Sequence, residues 1–135
     1  MTSLSKLSAY GKGFQLKVLG AFLTDKKFIL NARDLIQSEY FDSDAHKWII
    51  ETLIKYFDKY HTTPSMEVLK VELKKIDNEV LQISIKEQLR EAYKSSDEDL
   101  AYVEEEFSNF CKNERHQHLQ QLPNFLLVHL IALEL

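Results

Sequence analysis

Glu114, His116 and His118 form the densest group of potential metal ligands in this chain of 135 residues. Glu114 and His118 are four residues apart, a spacing that places two ligands on one face of a helix. A closed zinc site needs four ligands, and two further ones are lacking nearby. We therefore expect these side chains to lie on a solvated helix face, and we predict neither a bound metal nor a cofactor.

The remaining candidates for catalysis are one cysteine and two acidic runs. Cys111 lies among Phe107, Phe110 and Leu100 and is expected to be a small buried apolar group, not a nucleophile. The acidic runs cover residues 97–99 and 104–106, but consecutive residues on a helix point in different directions. We expect a solvated face there as well. No nucleophile with its base can be assembled, so the chain is predicted to have no catalytic residues and not to be an enzyme.

Length, charge and cysteine content restrict the class of protein. A chain of this length forms one domain with one core and needs no disulfide. The single cysteine and the polar start of the sequence favour a reducing, cytoplasmic setting. With 17 Lys plus Arg against 21 Asp plus Glu, the net charge is −4, which argues against tight nucleic-acid binding. The apolar segment 122–135 is too short to span a bilayer, so no membrane association is expected.

Apolar periodicity predicts an all-α, single-domain bundle of about six helices. The domain is expected to cover residues 14–121, between a flexible N-terminus (1–13) and an atypical apolar tail (122–135). Three helices are predicted to follow a capping residue, which is Asp42 or Ser43 for the third, Ser65 for the fourth and Asp77 or Asn78 for the fifth. The sixth is expected to run from about Glu98 to Gln121.

The third helix carries the strongest helical pattern in the chain. Its apolar stripe consists of Ala45, Ile49, Leu53 and Phe57, and the only Trp lies beside it. We expect this helix to be central, with its stripe buried against Val18, Phe22 and Leu69. His46 and His61 bracket it, and we expect His46 to be structural or to face a partner, and His61 to interact with the helix dipole.

Four sequence signals occur in an order that resembles a known module. They are Val18-Leu19-Gly20-Ala21-Phe22-Leu23-Thr24-Asp25, then Glu39-Tyr40-Phe41, then Tyr60-His61-Thr62-Thr63-Pro64-Ser65 after a long helix, and then the pair Leu69 and Leu73. Their order and spacing resemble the N-terminal domain of DnaB-type hexameric replicative helicases, most closely the helicase subunit of the T-even-like phage primase-helicase. The likeness covers roughly residues 14–115.

The resemblance implies a non-catalytic assembly and docking domain. Such domains form a ring collar on the hexamer, pair through a helical hairpin, and contact primase and the helicase loader. The parent protein would be an ATP-dependent DNA helicase, and an incomplete or frame-slipped reading frame would explain why its ATPase motor is missing here. The alternative is a small helical-bundle phage or bacterial regulatory protein that acts by protein–protein interaction.

The candidate partner interface lies on the sixth helix, at Tyr102, Phe107, Phe110 and Leu119. In the family this helix pairs with a second hairpin helix, which the apolar tail replaces here. Either the tail folds back as a helix from about Asn124 to Leu133 and covers the stripe, or the stripe stays exposed. We favour the second alternative, in which the exposed residues drive formation of a two-fold dimer.

Overall fold

The computed structural model describes residues 6–95 and 99–120, with side chains as far as Glu114, and this part of the chain contains no β-strand. It consists of six α-helices joined by short connections, and one apolar cluster runs through it. The all-α bundle predicted from the sequence is thereby confirmed. The helices are α1 (Lys12–Thr24), α2 (Lys26–Ala32), α3 (Asp44–Tyr60), α4 (Met66–Leu73), α5 (Glu79–Lys94) and α6 (Leu100–Gln120).

Side-chain caps set where four of the helices begin, and at α2 the Asp25 carboxylate accepts a hydrogen bond from the backbone N–H of Lys27 at 3.0 Å. The Ser43 hydroxyl accepts a hydrogen bond from the backbone N–H of His46 at 3.1 Å. Ser65 and Asn78 cap α4 and α5 in the same way, at 3.3 and 3.1 Å. Each cap satisfies a backbone donor that the first helical turn leaves unpaired. The two alternatives left open by the sequence are therefore decided for Ser43 and for Asn78.

The central helix is α1, not α3 as we expected. α1 packs against α3, α5 and α6, and its residues from Val18 to Leu23 are all buried. A helix that is apolar on all sides is buried on all sides, whereas a one-sided stripe marks a helix at the surface of the bundle. α3 is of the second kind, since Trp48 and Tyr56 are only partly buried beside its stripe.

The core contains the residues that the sequence predicted for it. Ala45, Ile49, Leu53 and Phe57 are buried in one cluster with Val18, Phe22 and Leu69. Aromatic rings form its middle, where Phe22 stacks on Phe28 with centroids 4.1 Å apart and Phe107 meets both rings edge-on, at 5.3 and 5.8 Å.

Part of the N-terminal segment 1–13, which we expect to be flexible, has regular structure. Leu7–Tyr10 forms a 3₁₀ turn in which Leu7 is fully buried, and Tyr10 stacks on Phe14 at 4.9 Å. Gly11, with φ of 95°, links this turn to α1, a backbone conformation that favours glycine. The buried Leu7 anchors this turn to the core, and the flexibility of residues 1–13 stays a prediction. Residues 1–5 and the tail 122–135, with its expected helix 124–133, lie outside the described residues.

Candidate docking groove

A groove lies between α4 and α5, which run antiparallel. The end of α4 is tied to the start of α5 by Gln82, whose Nε2 donates to the carbonyl oxygens of Leu73 at 3.2 Å and Ile76 at 2.5 Å. At the opposite end, Met66 of α4 and Lys94 of α5 line the same space. α3 ends at Tyr60, where His61 takes a left-handed conformation as the C-cap, and Ser65 then starts α4 beside α5.

The floor of the groove is apolar. Leu69, Leu73 and Leu89 form it and are almost fully buried, while Met66 at one end is 38% exposed and Tyr93 is half-buried. The cavity has a volume of about 550 Å³. This volume lies within the range of about 300–1,000 Å³ that is usual for ligand-binding clefts. The described residues that line it are Met66, Leu69, Lys70, Leu73, Lys86, Leu89, Arg90, Tyr93 and Lys94.

The rim of the groove is basic. Lys70, Lys86, Arg90 and Lys94 surround the floor, and no carboxylate is among the described lining residues. Lys94 approaches Glu91 at 3.8 Å, and within the described ranges the other three cations form no ion pair. Because the whole chain has a net charge of −4, four cations around one apolar floor make a local positive field on an acidic protein.

A second surface lies between α3 and α4 and contains more aromatic side chains. Tyr56 and Tyr60 lie 4.6 Å apart there, next to a cavity of about 470 Å³ that Trp48 also lines. Its charges are mixed, since Lys55, Lys59 and Lys75 line this cavity together with Glu72, which forms a 2.7 Å ion pair with Lys75. It therefore selects the charge of a partner less clearly than the groove between α4 and α5.

The predicted interface on α6 is mostly inside the molecule. Phe107 is fully buried and Phe110 is 5% exposed, so the expectation that these two rings form an exposed stripe was wrong. Tyr10 and Tyr40 cover Phe110 edge-on, at centroid distances of 5.9 and 5.0 Å. Tyr102 is 62% exposed and remains available to a partner. The side chain of the fourth residue, Leu119, lies outside the described part.

Of the three candidate metal ligands, only Glu114 has a side chain in the described part of the chain. Glu114 is 5% exposed, so it does not lie on the solvated face that we expected, and the side chains of His116 and His118 lie outside the described residues. Among the residues that the structure describes, no group of three or more His, Cys, Asp or Glu side chains could hold a metal ion.

Cys111 is buried, as predicted, and its environment suppresses the thiolate. Burial, with a smaller contribution from the charge of Glu114, raises the pKa of the thiol to about 12. The thiolate is the nucleophilic form, so this cysteine is unreactive at neutral pH.

Glu104 departs from the expected solvated acidic face. Its Oε2 atom is buried and has no hydrogen-bond partner among the described residues. Burial raises the pKa of this carboxyl, and the adjacent Asp25 raises it further, to about 7. Two carboxyl groups in such proximity disfavour simultaneous ionisation. The pair joins α6 to the start of α2, away from the groove, and is a structural contact sensitive to pH.

His46 is buried, in keeping with a structural role. Its Nε2 lies 2.7 Å from Oε1 of Gln88, so the neutral ring donates to the amide oxygen, while Nδ1 has no partner in the described part of the chain. Burial lowers the pKa of this histidine below its ordinary value, and the charge of Lys12 adds to the effect.

No protein-family model, curated protein or solved structure matches this chain. The likeness to helicase N-terminal domains therefore stays a prediction from the order of residues in the sequence. None of the helices in the described ranges is long and apolar enough to cross a membrane.

One sequence pattern marks a side of the groove. Lys86, Arg90 and Lys94 recur every four residues on α5, which places them in one row along the helix. Such a row normally indicates a solvated face. Only the position of α4 beside it shows that the row borders an apolar floor.

Proposed function

We propose that this chain is a non-catalytic assembly and docking domain that binds a partner protein through the groove between α4 and α5. The observation that carries this proposal is the combination of an apolar cavity, in which Met66 and Tyr93 are accessible, with a basic rim. An apolar centre surrounded by polar groups is the usual anatomy of a protein-binding surface. The raised pKa of Cys111 also argues against nucleophilic catalysis by the one thiol of the chain.

In its specific form, the proposal is that the chain is the N-terminal domain of a phage-type replicative DNA helicase, with primase or the helicase loader as its partner. The residue order from Val18 to Leu73 supports this form. Along the chain, the short central helix α1 comes first, the aromatic corner at Tyr40 next and the capped amphipathic helix α4 last. This is the order of the sequence signals on which the resemblance is based. Self-association as a dimer is part of the proposal, through the face of α6 that exposes Tyr102.

Binding of the purified chain to primase and to helicase loader from the same genome tests the proposal, measured by surface plasmon resonance. Met66→Asp is the informative variant, because it places a carboxylate at the mouth of the groove. The new aspartate lies in the first turn of α4, where the helix dipole favours it, so folding should be retained. Val80→Asp is the matched control, since it puts aspartate in the first turn of α5 at a residue that is 77% exposed and does not line the groove.

We expect primase or loader to bind the unmodified chain and the Val80 variant equally and to bind the Met66 variant at least about tenfold more weakly, a change of about 1.4 kcal/mol. If neither protein binds at micromolar concentration, the helicase form of the proposal is wrong. Binding that ignores Met66→Asp would instead remove the groove from the docking surface.

A further inference from the structure

We infer that the occupant of the groove is an amphipathic helix with an acidic face, an inference that rests on the proposed docking function. Two independent features of the groove lead to this partner chemistry. The floor selects a helix with an apolar stripe, and the rim selects carboxylates spaced along that helix.

The floor is shaped by two antiparallel helices. Leu69 and Leu73 are one helical turn apart on α4, and Leu89 faces them from α5. A furrow between two helices accepts apolar side chains at positions i, i+3, i+4 and i+7 of a third helix, which is a recurrent mode of peptide recognition. Met66 at the open end is an adaptable contact, because its unbranched thioether fits irregular shapes.

The rim adds a spacing that a helical partner matches. Lys86, Arg90 and Lys94 are successive i, i+4 positions, so they form a row about 12 Å long at a rise of about 1.5 Å per residue. Carboxylates four residues apart on a partner helix have the same repeat. Lys70 lies across the floor on α4 and provides a cation on the other side of that helix. A small molecule with one carboxylate would use only one of these cations.

Charge also separates this occupant from the tail of the chain itself. Residues 121–135 are apolar and contain one acidic residue, Glu134, so they offer no row of carboxylates to the rim. Because the protein as a whole has a net negative charge, the local positive charge of the rim favours an acidic partner at this groove.

Three series of helix-stabilised 14-residue peptides test the inference. All have Leu, Ile, Met or Phe at positions 1, 4, 5 and 8 in varied combinations, and their flanking positions are Glu in one series, Gln in the second and Lys in the third. Fluorescence anisotropy with the full chain should show the best Glu peptides binding about tenfold more tightly than the best Gln peptides, and the Lys peptides more weakly than both.

Charge changes at the rim should abolish this order. The double change Lys70→Glu with Arg90→Glu replaces two exposed cations and takes the formal charge of the rim from +4 to 0, so the Glu series should lose its advantage over the other two. The control is Lys26→Glu with Lys27→Glu, which changes the net charge equally at exposed residues of α2 outside the groove. Equal affinity of the three series for the unmodified chain, or loss of the order in the control as well, would overturn the inference.

A benzophenone amino acid in place of Met66 identifies what occupies the groove in the full chain. With the best Glu peptide added, cross-linking to that peptide supports the inference. Cross-linking instead to residues 121–135 of the same molecule, or to a second copy that the peptide does not displace, would overturn it.

The outcomes separate the two proposals. If primase or loader binds in a manner that depends on Met66 but the Gln peptides bind more tightly than the Glu peptides, the inference fails and the proposed function stands. If acidic helices bind the groove while neither protein binds the chain, the helicase form of the proposed function fails and the inference stands.

Discussion

Glu104 is partly buried and His46 is buried. Ionisation of these two side chains makes the stability of the fold depend on pH in opposite directions. The pKa of Glu104 is raised to about 7 in the folded chain, so the native state holds a proton that the unfolded state releases near pH 4.5. The pKa of His46 is lowered, so the native state resists a proton that the unfolded state accepts. Their effects overlap in the mildly acidic range, and single variants are needed to separate them.

Glu104→Gln should remove a loss of stability that occurs as pH rises. Between about pH 4.5 and 7 the native state binds more protons than the unfolded state, so the unfolding free energy falls with pH in that window. The variant cannot ionise, so at pH 8 its unfolding free energy should exceed that of the unmodified chain by about 1 to 2 kcal/mol. This value is smaller than the pKa shift alone implies, because solvent screens a partly buried group. Urea unfolding at pH 5, 6, 7 and 8 measures it.

Asp25→Asn is the companion variant for Glu104. Asparagine can keep the cap that Asp25 gives to the N–H of Lys27, while removing the neighbouring charge. The pH dependence of stability should become shallower but persist, because burial is the larger cause of the raised pKa of Glu104. If Glu104→Gln has a lower unfolding free energy than the unmodified chain at pH 8, this account is wrong.

His46 should destabilise the fold under acid conditions. As pH falls through about 6.5, the unfolded histidine takes up a proton that the buried ring refuses, so the unfolding free energy falls. In the Glu104→Gln background this decline should be visible between pH 6.5 and 5, and adding His46→Gln should flatten it. If the unfolding free energy declines with the same slope with and without His46→Gln, other groups cause the decline.

At the scale of helices, the sequence predicted where a helix begins better than where it lies in the bundle. Ser43, Ser65 and Asn78 act within three residues of the helix that they cap, so a local reading finds them. The centre of the bundle depends on which helix is apolar on all sides, and periodicity analysis gives most weight to one-sided helices such as α3. α1 was therefore recognised as a helix but not as the central one.

The end of α3 provides a prediction about backbone strain. His61 caps this helix with φ of 59°, a left-handed conformation, and its N–H donates to the carbonyl of Phe57 at 2.7 Å. Glycine adopts that conformation without steric cost, so His61→Gly should stabilise the chain by about 0.5 to 1 kcal/mol relative to His61→Ala. Comparing glycine with alanine cancels the edge contact between His61 and Phe57. Thermal unfolding of the two variants gives the difference, and a less stable glycine variant would refute it.

At the scale of the whole molecule, the groove illustrates what a sequence reading omits. The row of Lys86, Arg90 and Lys94 and the pair of Leu69 and Leu73 are each visible in the sequence, yet they belong to different helices. Their meeting depends on a five-residue connection and on the hydrogen bonds of Gln82. The same reasoning explains the α6 stripe, because the residues that cover Phe110 come from distant positions, at Tyr10 and Tyr40.

Burial of that stripe changes what variants of α6 should do to self-association. Phe110 is in the core, so Phe110→Asp should cost at least about 3 kcal/mol of stability, since it removes a large core side chain and buries a charge. It should unfold the chain and is no selective probe of a dimer.

Tyr102 is exposed, so Tyr102→Asp should weaken the proposed dimer while the thermal midpoint stays within about 2 °C of that of the unmodified chain. Light scattering at micromolar concentration, run beside thermal unfolding, measures both. A strict monomer for the unmodified chain would end the dimer proposal, and a dimer unaffected by Tyr102→Asp would move its interface off this face of α6.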